Sequence, residues 1–107
     1  MTTSFSKKIL TRHLQNPKIK VLKKFKGTKA INIAKLIFFP NDPLKGKKWL
    51  KNLTESEKRN AFAYFYSRLK IKNKIIVFLI IIGNEKTGSV SGQKFDYDTG
   101  MKIIKSL

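Results

Sequence analysis

The chain of 107 residues contains no cysteine, which removes disulfides, thiolate metal sites and a cysteine nucleophile from its chemistry. Lack of cysteine is compatible with a reducing intracellular compartment, and the cytoplasm is the expected location. Histidine occurs once, as His13, so a paired-imidazole ribonuclease site cannot form within one chain. Beside Arg12, a lone His13 reads as a helix-surface or phosphate-contacting group before it reads as a general base. Long apolar runs are also lacking. The longest, Ile75 to Ile82, is far shorter than the ~20 residues a helix needs to cross a bilayer, so no membrane span and a soluble protein are expected. The N-terminus, Met-Thr-Thr-Ser-Phe-Ser-Lys-Lys-Ile-Leu, lacks the apolar stretch of a secretory signal. Its basic, hydroxyl-rich, acid-free character is shared by organellar transit peptides, which makes an organelle the alternative location.

The scarcest class that matters is acid. Six Asp and Glu stand against 24 Lys and Arg, for a formal net charge of +18. The imbalance is uneven: residues 1–53 hold 14 basic side chains and one acid, Asp42, while residues 54–107 hold 10 basic and five acidic ones. An AT-rich genome accounts for part of the lysine, isoleucine, asparagine and phenylalanine content and not for the shortage of acids. Clustered lysines attract phosphate whatever the fold, so nucleic acid is the leading partner and an anionic membrane surface the next. The membrane ranks lower because no strong, continuous amphipathic helix accompanies the basic segments.

Length sets one small domain, residues 1–107, with residues 1–30 a strongly basic N-terminal portion that suits an extended arm. Residues 4–15 carry a helical stripe of Phe5, Ile9 and Leu10 or His13, with Ser4 or Ser6 as cap and Asn16-Pro17 as stop. Residues 18–25 start in strict alternation and drift toward a helical spacing, leaving strand and short helix both open. Residues 28–39 predict a buried helix. Pro40-Asn41-Asp42-Pro43 marks a loop, and residues 44–53 a short basic helix packed through Trp49, weakened by Gly46. Thr54-Glu55-Ser56-Glu57 is a capping box, and the spacing predicts a helix over 55–70 with Phe62, Phe65 or Tyr66, and Leu69 inward. Residues 72–74 read as a tight turn into Ile75–Ile82, a β-branched and aromatic run suited to a central strand covered on both faces. Residues 83–100 are rich in Gly, Ser, Thr, Asn and Asp and read as an exposed hairpin or loop, with a short strand over 93–97; residues 101–107 close as a helical turn or strand. The fold class is α+β: several helices packed on a short sheet built around the strand near residues 75–82, followed by a Gly/Ser-rich hairpin.

The basic ladder Lys7, Lys8, Arg12, Lys18, Lys20, Lys23, Lys24, Lys26 and Lys29 runs without an intervening acid and suits the phosphates of a nucleic acid. Lys47 and Lys48 extend it. The ordinary reading of such a ladder is a solvated face that keeps the protein dispersed. Lysine is a point charge without the planar fork that reads guanine edges, so backbone binding with little base preference and steep salt dependence is expected. Arg59, Tyr64 and Arg68, placed on the 55–70 helix, complete the candidate interface, with packing the commoner role of Tyr64 and stacking on an unpaired base the functional one.

Two catalytic patterns are weaker. Gly83-Asn-Glu-Lys-Thr-Gly88-Ser89 has a superficial P-loop spacing, yet Ser89 stands where the phosphate-binding lysine belongs. Asp96 and Asp98, on one face of the 93–97 strand and joined by Glu85, would suit Mg²⁺; turn chemistry at Asp98-Thr99-Gly100 is the plainer account. No cofactor and no metal are assigned. The sequence therefore predicts a non-enzymatic nucleic-acid-binding protein, RNA slightly ahead of DNA, such as a ribonucleoprotein component or a DNA-binding accessory protein. A small basic ribonuclease of toxin type and a small inhibitor or immunity-type protein docking on an acidic protein through Trp49 or Tyr64 are the alternatives.

Overall fold

The computed structural model describes residues 3–4, 12, 14–68, 75–83 and 89–107. Among them are five strands, β1 (Thr3–Ser4), β2 (Ile19–Lys26), β3 (Phe62–Arg68), β4 (Ile75–Ile82) and β5 (Ser89–Asp96), and four helices, α1 (Thr28–Phe38), α2 (Pro43–Lys51), α3 (Glu55–Arg59) and α4 (Tyr97–Ser106). The strands form one antiparallel sheet in the order β1-β5-β4-β3-β2. The class is α+β, and β4 sits at the centre of the sheet. No described helix is long and apolar enough to cross a membrane.

Register assigns the faces, because residues directly opposite in an antiparallel pair share a side of the sheet. Phe25 lies opposite Ala63, Phe65 opposite Phe78, and Ile80 opposite Ala63 on its other side. These residues join Ala30, Ile31, Ile33, Ala34 and Ile37 of α1 in a single core. A chain of rings runs through it. Phe25 meets Phe65 edge-on at 6.3 Å, Phe65 meets Phe78 at 4.9 Å, and Phe78 meets Phe38 at 5.8 Å, tying three strands to α1. Such pairs contribute about 0.5–1.5 kcal/mol each beyond the area they bury. From the other end of the sheet, α4 packs Met101, Ile103 and Ile104 on the same core.

The 28–39 helix and the central strand stand as expected, and the open choice at residues 18–25 resolves as strand. The drift out of alternation there is a register shift between Val21 and Lys23. This β-bulge lets Leu22 pack against the core while Lys23 and Lys24 are both exposed. The basic helix forms one residue earlier than predicted, with Pro43 in its first turn and Asp42 as cap. Gly46, which weakens it intrinsically, is buried where α2 presses on α1: a Cβ there would come 2.9 Å from Lys35 Cγ.

The helix over 55–70 is corrected. Its capping box forms, with Thr54 N–H donating to Glu57 Oε1 at 2.9 Å and Glu57 N–H to Thr54 Oγ1 at 3.1 Å, yet the helix ends at Arg59 and Phe62–Arg68 is strand β3. One helical stripe cannot bury Phe62, Tyr64, Phe65 and Tyr66 together. Alternation does, sending Ala63, Phe65 and Ser67 to the helix side and Phe62, Tyr64 and Tyr66 to the other, while β2 and β4 complete the ladder on both edges. Leu69 lies outside the described residues, as do the 72–74 turn and most of the 4–15 helix; Ser4 pairs with Ser89 as strand. The hairpin after β4 has a full eight-residue second arm in β5, and Tyr97 opens α4 instead of ending a strand.

Gly100 is the tightest point of the helix layer, since a Cβ there would overlap the side chain of Ile76. In an open helix, Gly→Ala gains about 1 kcal/mol. Here Gly100→Ala is expected to destabilise by about 1–3 kcal/mol, as overpacking does. Urea unfolding followed by circular dichroism measures it, and unchanged or raised stability would mean that α4 does not sit on Ile76.

Candidate nucleic-acid interface

Strand β2 is the edge of the sheet, hydrogen-bonded to β3 alone among the described elements. Leu22 and Phe25 turn into the core, and Lys20, Lys23, Lys24 and Lys26 are all exposed. Gly27, at φ 68, turns the chain into α1. This helix starts with no side-chain cap and no acid in its first turn, leaving the positive end of its dipole uncompensated. Lys29 stands in that turn with its Nζ 5.6 Å above the Phe25 ring, so β2 and the start of α1 present five exposed lysines along the sheet edge. Lys20 and Lys23 lie opposite Ser67 and Phe65 on the helix side, and Lys24 and Lys26 opposite Tyr64 and Phe62 on the other. Lysines and a bulge on an edge strand also prevent edge-to-edge pairing between molecules, the plain structural role of this set.

A second basic group lies on α2. Lys47, Lys48 and Lys51 share the exposed stripe of Leu44, and with Lys45 and Asp42 they line an open concavity of about 550 Å³. Lys45 and Lys51 were not among the residues the sequence singles out, although their spacing from Lys48 on a helix would have joined them to it. On the other side of α2, Trp49 packs on Phe39 with ring centroids 5.8 Å apart. It also helps line an apolar concavity of about 320 Å³ with Phe38, Phe39, Ile80, Ile82 and Ser91.

The carboxylates are occupied elsewhere. Asp42 accepts from Lys45 N–H at 3.0 Å at the start of α2, and Glu57 closes the capping box of α3. Glu55 pairs with Lys58 at 3.3 Å, the ion pair among the described residues. Asp96 accepts from Thr99 N–H at 3.2 Å and Asp98 lies in the first turn of α4. Every described acid thus sits at a helix N-terminus, where it complements the dipole. The lysines of β2 and α2 are left without an acidic partner among the described residues.

Of the other sequence-predicted residues, Arg12, Lys18, Arg59 and Arg68 are exposed. Arg59 ends α3, with its carbonyl close to Gly27, and Arg68 lies opposite Ile19 at the start of β2, so both border the edge-strand set. Tyr64 lies opposite Lys24 on the sheet face away from the helices. It is half-buried there, and burial pushes its hydroxyl pKa up. Lys7, Lys8 and His13 lie outside the described residues, as do Glu85 and the 84–88 part of the P-loop-like segment. The pair of carboxylates on one strand face is corrected, because Asp96 ends β5 and Asp98 belongs to α4. Among the described residues no three acidic, histidine or cysteine side chains gather as a metal site.

No protein-family model, no curated protein and no solved structure matches the chain. Function therefore has to be argued from the chemistry of this surface alone.

Hydrogen bonds from Thr99, through its side chain and then its backbone, hold the Asp96 carboxyl below the usual carboxylate range. A lowered folded-state pKa adds stability that is complete above the unfolded-state value and disappears as pH falls through the folded-state value. Asn keeps a capping oxygen without the titrating charge. The stability advantage of the native protein over Asp96→Asn is expected to shrink as pH falls from about 5 to about 2, measured by urea unfolding at each pH. A constant difference would uncouple the Asp96 charge from α4.

Proposed function

We propose that this protein binds nucleic acid without catalysis, gripping the phosphate backbone with lysines, RNA ahead of DNA. The observation that carries the reading is the exposure of Lys20, Lys23, Lys24, Lys26 and Lys29 along one sheet edge, on both of its faces, together with the commitment of the described carboxylates to helix starts. A set of this kind repels itself in the free protein and is neutralised by a polyanion, which also releases the counterions condensed on the phosphates. Lysine in place of arginine favours charge contact over base reading. The edge-strand role explains why lysines occupy β2. It offers no reason for the four on α2, which is not at a sheet edge.

Replacement of Lys20, Lys23, Lys24 and Lys26 by Gln is expected to weaken binding of labelled RNA and DNA alike. The slope of log affinity against log salt should fall by about one unit for each lysine that touches a phosphate. Fluorescence anisotropy at several salt concentrations measures both, and binding that keeps its strength and slope would remove β2 from the interface. Binding should also raise the melting temperature of the native protein by linkage.

A second reading is favoured by the apolar concavity at Trp49, beside the lysines of α2. An acidic protein with an apolar anchor suits that combination. It calls for a stoichiometric protein complex, with nucleic-acid affinity that disappears at physiological salt.

A further inference from the structure

Single strands and duplexes both offer phosphates, and the aromatic side chains discriminate between them. Proteins that hold unpaired strands set open ring faces among their basic groups, so that bases stack on them. Every aromatic residue except Phe5 lies among the described residues, and of these four are buried, six half-buried and one exposed. The exposed one, Tyr97 at 38%, starts α4, away from both lysine groups in the sequence of elements, and has contacts of its own. Several rings do adjoin lysines. Phe25 lies buried beneath Lys29, and Phe62 is half-buried opposite Lys26 with contacts of its own. Tyr64 is half-buried beside Lys24, and Trp49 is committed to Phe39 and the core. Among the described residues the lysines of β2 and α2 therefore present charge without a fully exposed ring beside them.

Charge density then selects the ligand. A duplex carries one negative charge per about 1.7 Å of axis, and a cationic surface gains more from counterion release on it than on a single strand. The two lysine groups are also bridged, since α1 packs on β2 and α2 packs on α1.

We infer that the ligand is a double-stranded nucleic acid, held by its phosphates across a band made of β2, the first turn of α1 and the lysine stripe of α2. The inference rests on the phosphate-gripping reading above and adds to it the strandedness of the ligand and the participation of Lys45, Lys47, Lys48 and Lys51. Strand β2 and the adjoining Lys29 hold one stretch of backbone and α2 a second, with α1 packed on both elements. Half-buried Tyr64 has a packing role and makes no base contact.

The test is fluorescence anisotropy on the full chain with labelled RNA and DNA duplexes of about two helical turns and with an unstructured single strand of the same length, between about 50 and 200 mM salt. The duplex is expected to bind about tenfold more tightly or better at the upper salt, with a slope near −0.9 per contacted phosphate against −0.7 for the strand. Replacing the four α2 lysines by Gln should lower the duplex slope, and Tyr64→Ala should leave duplex affinity unchanged; circular dichroism checks that both variants are folded. A single strand bound as tightly as the duplex, or a loss of affinity in Tyr64→Ala, would overturn the inference while leaving phosphate gripping intact. An unchanged slope in the α2 variant would overturn the two-element band. If neither form binds at the upper salt, the phosphate-gripping reading fails and takes this inference with it.

Discussion

The fold hangs on the chain of rings Phe25, Phe65, Phe78 and Phe38, which passes from the edge strand through the two middle strands into α1. Phe65 and Phe78 are fully buried, and each large ring removed from water is worth a sizeable part of a small domain's net stability. Because Phe25 is the end of this chain, β2 is tied to the core through one face while its lysines stay in water. The bulge after Val21 serves the same end: it brings Leu22 inward without drawing a lysine with it. The basic edge is thus held at a defined place by apolar packing beneath it.

Charge works against this packing and shapes what the surface can do. With +18 on 107 residues, self-repulsion opposes the compact state. Apart from Glu55 with Lys58, the described acids do not relieve it pairwise. They stand at helix starts, where each meets backbone N–H groups or the helix dipole, and the three helices that carry them are short enough to need such support. Helix α1, the longest at 11 residues, starts without an acid and is held instead by the five buried side chains it lays on the sheet. Its uncapped, lysine-bearing start beside β2 follows from that division of labour.

Much of the organisation was legible in the residues. The β-branched run of β4, the mostly apolar stretch of α1, the Pro-Asn-Asp-Pro loop and the capping box at Thr54 each depend on local chemistry, and each lies where its residues indicate. The 55–70 segment was misread because a strong local start signal was extended through residues whose aromatic side chains prefer a pleated surface. The capping box specifies where a helix begins and carries no information about where it ends. Likewise the alternative that set Asp96 and Asp98 as a pair on a strand gives way to local chemistry, with Asp96 capping α4 and Asp98 in its first turn. The lysines of β2 were readable as a ladder, and helical spacing could have joined Lys45 and Lys51 to Lys48; that the ladder lies on a sheet edge required the fold.

By itself the sequence determined composition-level properties and local structure: the excess of positive charge, the absence of thiol chemistry, the helix caps and the central strand. These follow from side-chain identity and short-range hydrogen bonding, which act before any distant contact is made. Only the tertiary structure decided that residues 62–68 are strand and that β2 is an edge. It also decided that Phe25, Phe65 and Phe78 turn inward and that α1 packs on both β2 and α2. Each of those depends on contacts between residues far apart in the chain, where burial of apolar area outweighs local preference.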